Sequence, residues 1–174
     1  MEEISTDYLV IGAGAMGMAF VDTLLSDTKA TVVLVDRYAR PGGHWTIAYP
    51  FVHLHQPSAF YGVNSRSLGQ DSIDQVGTNK GLAELATVDE ICAYYSSLLQ
   101  QTFLPTGRVT YLPKHEYLGE GTFRAVITNK VYRVGKHTKI VQTIQLKRAA
   151  MAHITPGSIT EAMEREELEE LEYV

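Results

Sequence analysis

The chain has 174 residues, which suits one domain and is short for a complete two-domain enzyme. A hydrophobic fraction of 45% with 20% charged residues supports a core and excludes the composition of a disordered chain. A net charge of -5, with no basic stripe interleaved with aromatics, argues against nucleic acid or an anionic lipid surface as partner.

The apolar run from Tyr8 to Leu25 is preceded by Glu2, Glu3 and Asp7 and interrupted by Asp22, so it resembles neither an export signal nor a membrane span, and a cytoplasmic location is expected. Within it, Tyr8-Leu9-Val10-Ile11 predicts a short strand, a small-residue turn follows, and Met16 to Leu25 predicts a helix. Ser26-Asp27-Thr28-Lys29 breaks that helix, and the continuously apolar, β-branched run from Ala30 to Val35 predicts a strand buried on both faces. The three elements form a βαβ unit. After Pro41-Gly42-Gly43, the stretch from Trp45 to Gly69 is dense in aromatics, Pro, Ser and Gly and predicts a long functional loop with short strands.

Thr87-Val88-Asp89-Glu90 is a capping box that starts a helix running to about Gln101. Its Cys92, the single cysteine, lies beside Ile91, Tyr94, Tyr95 and Leu98 and is expected to be a buried structural thiol. Pro105-Thr106-Gly107 then turns the chain into a third parallel strand, Arg108 to Leu112. Three β-rich runs, Thr122 to Thr128, Lys130 to Val134 and Lys139 to Ile144, predict an antiparallel meander over about 117–144. A second capping box, Ser158-Ile159-Thr160-Glu161, precedes the acidic run Glu164 to Glu170 and predicts a terminal helix. The expected organisation is an α/β domain over 1–150 and an acidic helical tail over 151–174. The tail's Ile159, Met163, Leu168 and Leu171 offer a face for a partner chain or self-association, although a solvated surface helix accounts for the same pattern.

Gly12-Ala13-Gly14-Ala15-Met16-Gly17 fits G-x-G-x-x-G: one glycine for the sharp turn, one for approach of a pyrophosphate, one for close helix–strand packing. The motif alone is a weak signal. Its place between a buried strand and a helix strengthens it, because the helix N-terminus offers unpaired N–H groups and a favourable dipole to a diphosphate. Gly12, Gly14, Ala15 and Met16 are therefore placed at the pyrophosphate, with Gly17 at the packing position. Asp36 ends the second strand where a carboxylate accepts both ribose hydroxyls of an adenosine and disfavours a 2′-phosphate, and Arg37 is placed over the adenosine edge. FAD and NAD share the group that this fingerprint reads.

Asp36-Arg37, a short spacer and Gly42-Gly43-His44-Trp45 resemble the acid-x-x-x-x-x-G-G-x-W pattern of the flavin-containing monooxygenase and Baeyer-Villiger monooxygenase superfamily. The resemblance covers the chain to about Val141. It implies an α/β Rossmann-like FAD/NAD(P)-binding fold with a parallel sheet, FAD as cofactor, NAD(P)H as its reductant and oxygen activation by the flavin. It further implies that Gly43, His44 and Trp45 line the path toward the flavin. His55 and Gln56 would lie beside the isoalloxazine ring, and His115, after the third parallel strand, would contact adenine through its backbone. The family also has a second glycine fingerprint, a late Gly-Asp and an Ala-Thr-Gly type segment. None of the three is recognisable, and where the Ala-Thr-Gly segment is expected the chain reads Val141-Gln142-Thr143-Ile144.

The chain therefore reads as the N-terminal part of a flavoenzyme whose substrate contacts lie beyond it. The alternative is a truncated, non-catalytic nucleotide-binding or interaction module. His53 and His55 share a strand face in this reading but have no third ligand at suitable spacing, so no metal site is expected. No G-x-S-x-G, H-E-x-x-H or P-loop sequence supports a hydrolase, protease or P-loop reading, and Ser58 and Arg66 are expected to be structural.

Overall fold

A computed structural model of the protein describes residues 1–143; the predicted acidic helix and its capping box lie outside the described residues. The elements in chain order are β1 (Glu2–Ile4), β2 (Tyr8–Ile11), α1 (Ala15–Asp27), β3 (Val32–Asp36), α2 (Val88–Leu98), β4 (Val109–Pro113), β5 (His115–Gly119), β6 (Thr122–Ala125), β7 (Val131–Val134) and β8 (Lys139–Gln142). Short 3-10 turns occupy Gly43–Ile47 and Ser58–Tyr61.

Two four-stranded sheets organise the chain, one ordered β4-β3-β2-β8 and the other β1-β7-β6-β5. The first is parallel throughout. All five residues of β3 are buried, as the apolar run requires of a strand covered on both faces. Alternate side chains divide between two cores. Val10, Val32, Leu34 and Val109 pack with α1 and α2 through Val21, Ile91 and Leu98, and with Phe103 just beyond α2, whereas Leu9, Val33 and Val35 pack with Phe123 and Val134 of the second sheet. The parallel sheet thus sits between a helical layer and a second, mixed sheet.

Both βα crossovers were legible, and so was the start of α2. Thr87 Oγ1 accepts from the Glu90 N–H at 3.2 Å, and the Glu90 carboxylate accepts from the Thr87 N–H at 2.7 Å. Thr87→Ala is expected to lower stability by about 1 kcal/mol, measured by denaturant unfolding, because the Glu90 N–H in the first turn loses its acceptor. The helix itself stops at Leu98 and continues as a π-turn through Leu99–Phe103, which keeps Leu99 and Phe103 in the core. Cys92 is buried on α2, and burial pushes its thiol above the ordinary range.

Three expectations are corrected. The run from Lys139 is not a meander strand: β8 runs parallel to β2, from Tyr8↔Lys139 to Ile11↔Gln142, and fills the open edge of the main sheet. The meander is instead β5-β6-β7, and β7 takes as its outer neighbour β1, a parallel pairing with Glu2–Ile4 that the polar N-terminus did not announce. The run from Thr122 ends as strand at Ala125, where Val126 and Ile127 turn outward into solvent and Asn129 adopts a positive φ of 56°. The stretch 45–69 contains 3-10 turns and the isolated bridges His53↔Thr87 and Val63↔Arg66 rather than short strands. Its backbone groups are satisfied by neighbours instead: Leu54 N–H donates to Ala86 O, and the buried Ser58 bridges Glu84 O and the Ala86 N–H. Arg66 bonds Ser97 and Gln101, so both residues act structurally. Among the described residues, no helix is long and apolar enough to cross a membrane.

Candidate functional site

β2 delivers the chain to Gly12, whose φ of 101° only glycine adopts without strain, and the turn feeds directly into α1 at Ala15. A Cβ on Gly12 would overlap Thr143 Oγ1, and one on Gly17 would overlap the carbonyl oxygen of Gly12. The first and third glycines therefore serve the turn and the helix–strand contact. Gly14 is the N-cap of α1 and has no side chain to accept from the first turn, and that turn holds no acidic residue. The helix thus begins with N–H groups that no side chain caps, next to its positive dipole end.

The Gly42-Gly43 pair lies against this turn. Gly42 N–H donates to Ala13 O at 2.8 Å, and a Cβ on Gly43 would stand 2.9 Å from Gly14 Cα. The second glycine pair therefore makes a backbone-to-backbone contact with the first motif, an arrangement that motif spacing alone did not specify.

Asp36 closes the same corner from the end of β3. Its carboxylate is 5% exposed and accepts from the Ala13 N–H at 2.5 Å and the Tyr38 N–H at 2.7 Å. Burial raises its pKa above the ordinary value of 3.8, against the pull of those two hydrogen bonds and of Arg37. Arg37 is exposed, with its guanidinium 5.1 Å from the centre of the Tyr38 ring and donating to the Tyr38 hydroxyl at 3.1 Å. Tyr111, one strand over on β4, has a buried hydroxyl without a hydrogen-bond partner; burial, and secondarily the Asp36 carboxylate, hold its pKa above the ordinary phenol range.

The remaining predicted residues are spread more widely. Trp45 turns into the core, 9% exposed, where its indole N–H donates to the Tyr61 hydroxyl at 2.9 Å and its ring meets Tyr61 edge-on. His44 stays at the surface, its ring 4.9 Å from that of Trp45. His55 and Gln56 are exposed in a bend between the His53 bridge and the second 3-10 turn, so His53 and His55 do not share a strand face. Among the described residues, no group of three or more His, Cys, Asp or Glu side chains gathers as metal ligands would. His115 opens β5, one residue beyond the Lys114 turn. Its ring packs between Phe123 and Tyr132 with Nδ1 2.7 Å from Pro113 O, which directs the side chain into the second core.

Two residues of this corner went unassigned in the sequence. Tyr38 had no motif to mark it. Nor had Thr143, whose hydroxyl donates to Ile11 O at 2.6 Å, under the glycine turn. A cavity of about 540 Å³ lies elsewhere, between α2 and the 58–86 stretch, lined by Ser58, Leu68, Glu84, Glu90 and Tyr94 among others and by none of the fingerprint residues.

No family model matches the sequence. Among curated proteins, the chain is similar to the uncharacterized proteins Rv2000 of Mycobacterium tuberculosis and Mb2023 of Mycobacterium bovis, each 58% identical over 160 residues. The match takes in 88% of this chain, which spans only 30% of the length of these relatives. Among solved structures, a flavin-containing monooxygenase from Stenotrophomonas maltophilia superposes with a TM-score of 0.54 at 20% identity, over 82% of this chain and 38% of that one. A cyclohexanone monooxygenase in complex with cyclohexanone gives 0.50 at 23% identity, over 80% and 27%. The bacillithiol disulfide reductase of Staphylococcus aureus gives 0.50 at 12% identity, over 77% and 36%. The described residues therefore have a Rossmann-like α/β fold of the kind found in these flavin monooxygenases and this reductase.

Proposed function

We propose that this chain carries the FAD-binding domain, about residues 1–150, of a monooxygenase-like oxidoreductase that NAD(P)H reduces. The observation that carries the reading is the closed corner formed by the Gly12–Gly17 turn, Gly43 packed on Gly14, and the buried Asp36 carboxylate tied to the same turn through Ala13.

The residues present fit the group. The start of α1, with no side-chain cap, leaves the amides around Ala15 and Met16 to a diphosphate, with Gly12 and Gly14 permitting its close approach. Each Asp36 oxygen already accepts one backbone N–H and retains a lone pair for a ribose hydroxyl, while its negative charge repels a 2′-phosphate. Arg37 would lie over the adenosine edge, and Gly43 and His44 would face the path toward the flavin, with Trp45 holding that path's floor through Tyr61. His55 and Gln56, both exposed, are the residues assigned to the isoalloxazine end, and the His115 backbone to adenine. FAD, when bound, supplies hydride acceptance from NAD(P)H and electron transfer to oxygen. The residues of this chain bind and orient it; the substrate contacts are assigned to polypeptide outside this chain.

The test is the visible spectrum of the purified chain before and after addition of FAD and then NADPH. Bound, yellow flavin that NADPH bleaches is the expected result. Absence of FAD binding overturns the reading. Bound flavin that NADPH leaves oxidised favours the non-catalytic module, or an enzyme that another polypeptide completes.

A further inference from the structure

We propose that the exposed aromatic surface carried by residues 47–60 is an interface for further polypeptide, of the kind that the mycobacterial relatives carry outside the region they share with this chain. Ile47, Tyr49, Phe51 and Phe60 each leave between 68% and 78% of their surface in solvent. Tyr49 and Phe51 stack with centroids 5.5 Å apart and planes 6° from parallel, so the two rings form one exposed aromatic pair. Large apolar side chains concentrated in this way mark interaction surfaces rather than ordinary solvent-facing loops.

The stretch that carries them is anchored, not loose. Trp45 and Leu54 are buried in the helical core, Leu54 N–H donates to Ala86 O, Ser58 N–H to Glu84 O, and Val52 O accepts from Val88 N–H at the start of α2. The aromatic side chains therefore point outward from a fixed platform, which keeps the ordering cost of docking low.

Charge narrows the occupant. Between Ile47 and Phe60 there is no Asp, Glu, Lys or Arg, so nothing here attracts a phosphate backbone or an anionic lipid headgroup. Aromatic enrichment with depletion of charge is the composition of the buried centre of a protein–protein contact. Length points the same way: the relatives match 88% of this chain, yet it spans 30% of them, so most of their polypeptide lies outside the shared region and has to pack somewhere. The surface directly follows Gly42-Gly43, whose backbone touches the Gly12–Gly17 turn, so polypeptide seated on it would also wall that corner. The proposal stands whether or not the ligand of that corner is FAD.

Hydroxyl-radical labelling read by mass spectrometry tests it. The subjects are the 174-residue chain and a chimera in which it replaces the matched region of the Mycobacterium tuberculosis relative. Labelling of Tyr49, Phe51 and Phe60 is expected to fall about fivefold or more in the chimera, as for side chains from which a partner excludes water. Val76 and Ile127, equally exposed outside this stretch, serve as the reference for that fall. Substituting Tyr49→Ser and Phe51→Ser together is expected to leave the melting temperature of the isolated chain within about 2 °C, as for surface changes, and to lower that of the chimera. The same labelling of the unmodified relative, at the positions aligned with 47–60, keeps the test independent of how the chimera folds. Undiminished labelling in the relative overturns the proposal. So does protection in the isolated chain accompanied by a doubled mass, which makes a second copy the occupant, or protection of the isolated chain that appears only with FAD.

Discussion

Gly17→Ala is expected to lower the melting temperature of this chain by about 10 °C and to abolish the proposed nucleotide affinity at the temperature where the variant unfolds. Two effects of the added methyl oppose each other. In a helix, alanine is favoured over glycine by about 1 kcal/mol, so an exposed position would gain. Gly17 is buried in the first turn of α1, and its Cβ would overlap the carbonyl oxygen of Gly12 and press on Thr143 at 3.1 Å. The obstacle is backbone rather than the end of a flexible side chain, so relief requires α1 to lift from β2. Overpacking of this kind costs about 3 kcal/mol, and a chain of this size loses roughly 2–4 °C for each 1 kcal/mol. The overlap wins. Thr23→Ala, an exposed change on the same helix, is the control and is expected to shift stability by less than about 0.5 kcal/mol. Thermal unfolding of both variants decides the matter, and a Gly17→Ala chain as stable as the control would show that the helix and strand are not in the close contact described.

In the proposed FAD site, Asp36→Asn is expected to weaken binding by about 10- to 100-fold, the equivalent of one hydrogen bond to a charged acceptor. The carboxylate accepts two backbone N–H groups, from Ala13 and Tyr38. An asparagine accepts with one oxygen only and turns its own NH₂ toward the other donor, so the variant disturbs the turn as well as the ribose contact. The pH dependence separates the two roles of the side chain. Burial places the folded pKa of Asp36 above 3.8, so the protonated form is favoured more in the folded chain than in the unfolded one. Its stability contribution to the unliganded chain is therefore fully present below 3.8 and is lost as pH rises through the folded value. Affinity runs the other way. Protonation removes the charged acceptor, so FAD binding falls as pH drops through that same value. Fluorescence titration of FAD with parallel unfolding experiments, taken as differences between the wild type and Asp36→Asn, should give two trends of opposite sign. Affinity of the wild type that is flat with pH down to 3.8 would remove Asp36 from the ribose site.

Legibility followed the range of the interaction. β3 was readable because burial on both faces demands an unbroken apolar run, and Val32 to Val35 supply one. The start of α2 was readable because Thr87 and Glu90 satisfy each other within four residues. The glycine turn was readable because a positive φ at Gly12 and the close contact at Gly17 each restrict the residue type. Trp45 illustrates the opposite case. Its place after the Gly-Gly pair was readable but its packing was not: the indole N–H donates to Tyr61, sixteen residues away, and the ring lies in the core.

By itself, the amino-acid sequence determined the βαβ unit, the glycine turn, the carboxylate at the end of β3 and the start of α2. Each depends on dihedral preference, capping or burial within a few residues. Only the tertiary structure decided which edge β8 would fill, that β1 would join β7, and that Gly43 would rest on Gly14 to close the corner around Asp36. Those are choices among distant partners with similar local chemistry. A β-rich run such as Lys139 to Gln142 satisfies its backbone equally in a meander or beside β2. The hydrogen bonds from Lys139 N–H to Asp7 O and from Thr143 Oγ1 to Ile11 O, available only once β2 has folded onto α1 and β3, settle it in the parallel sheet.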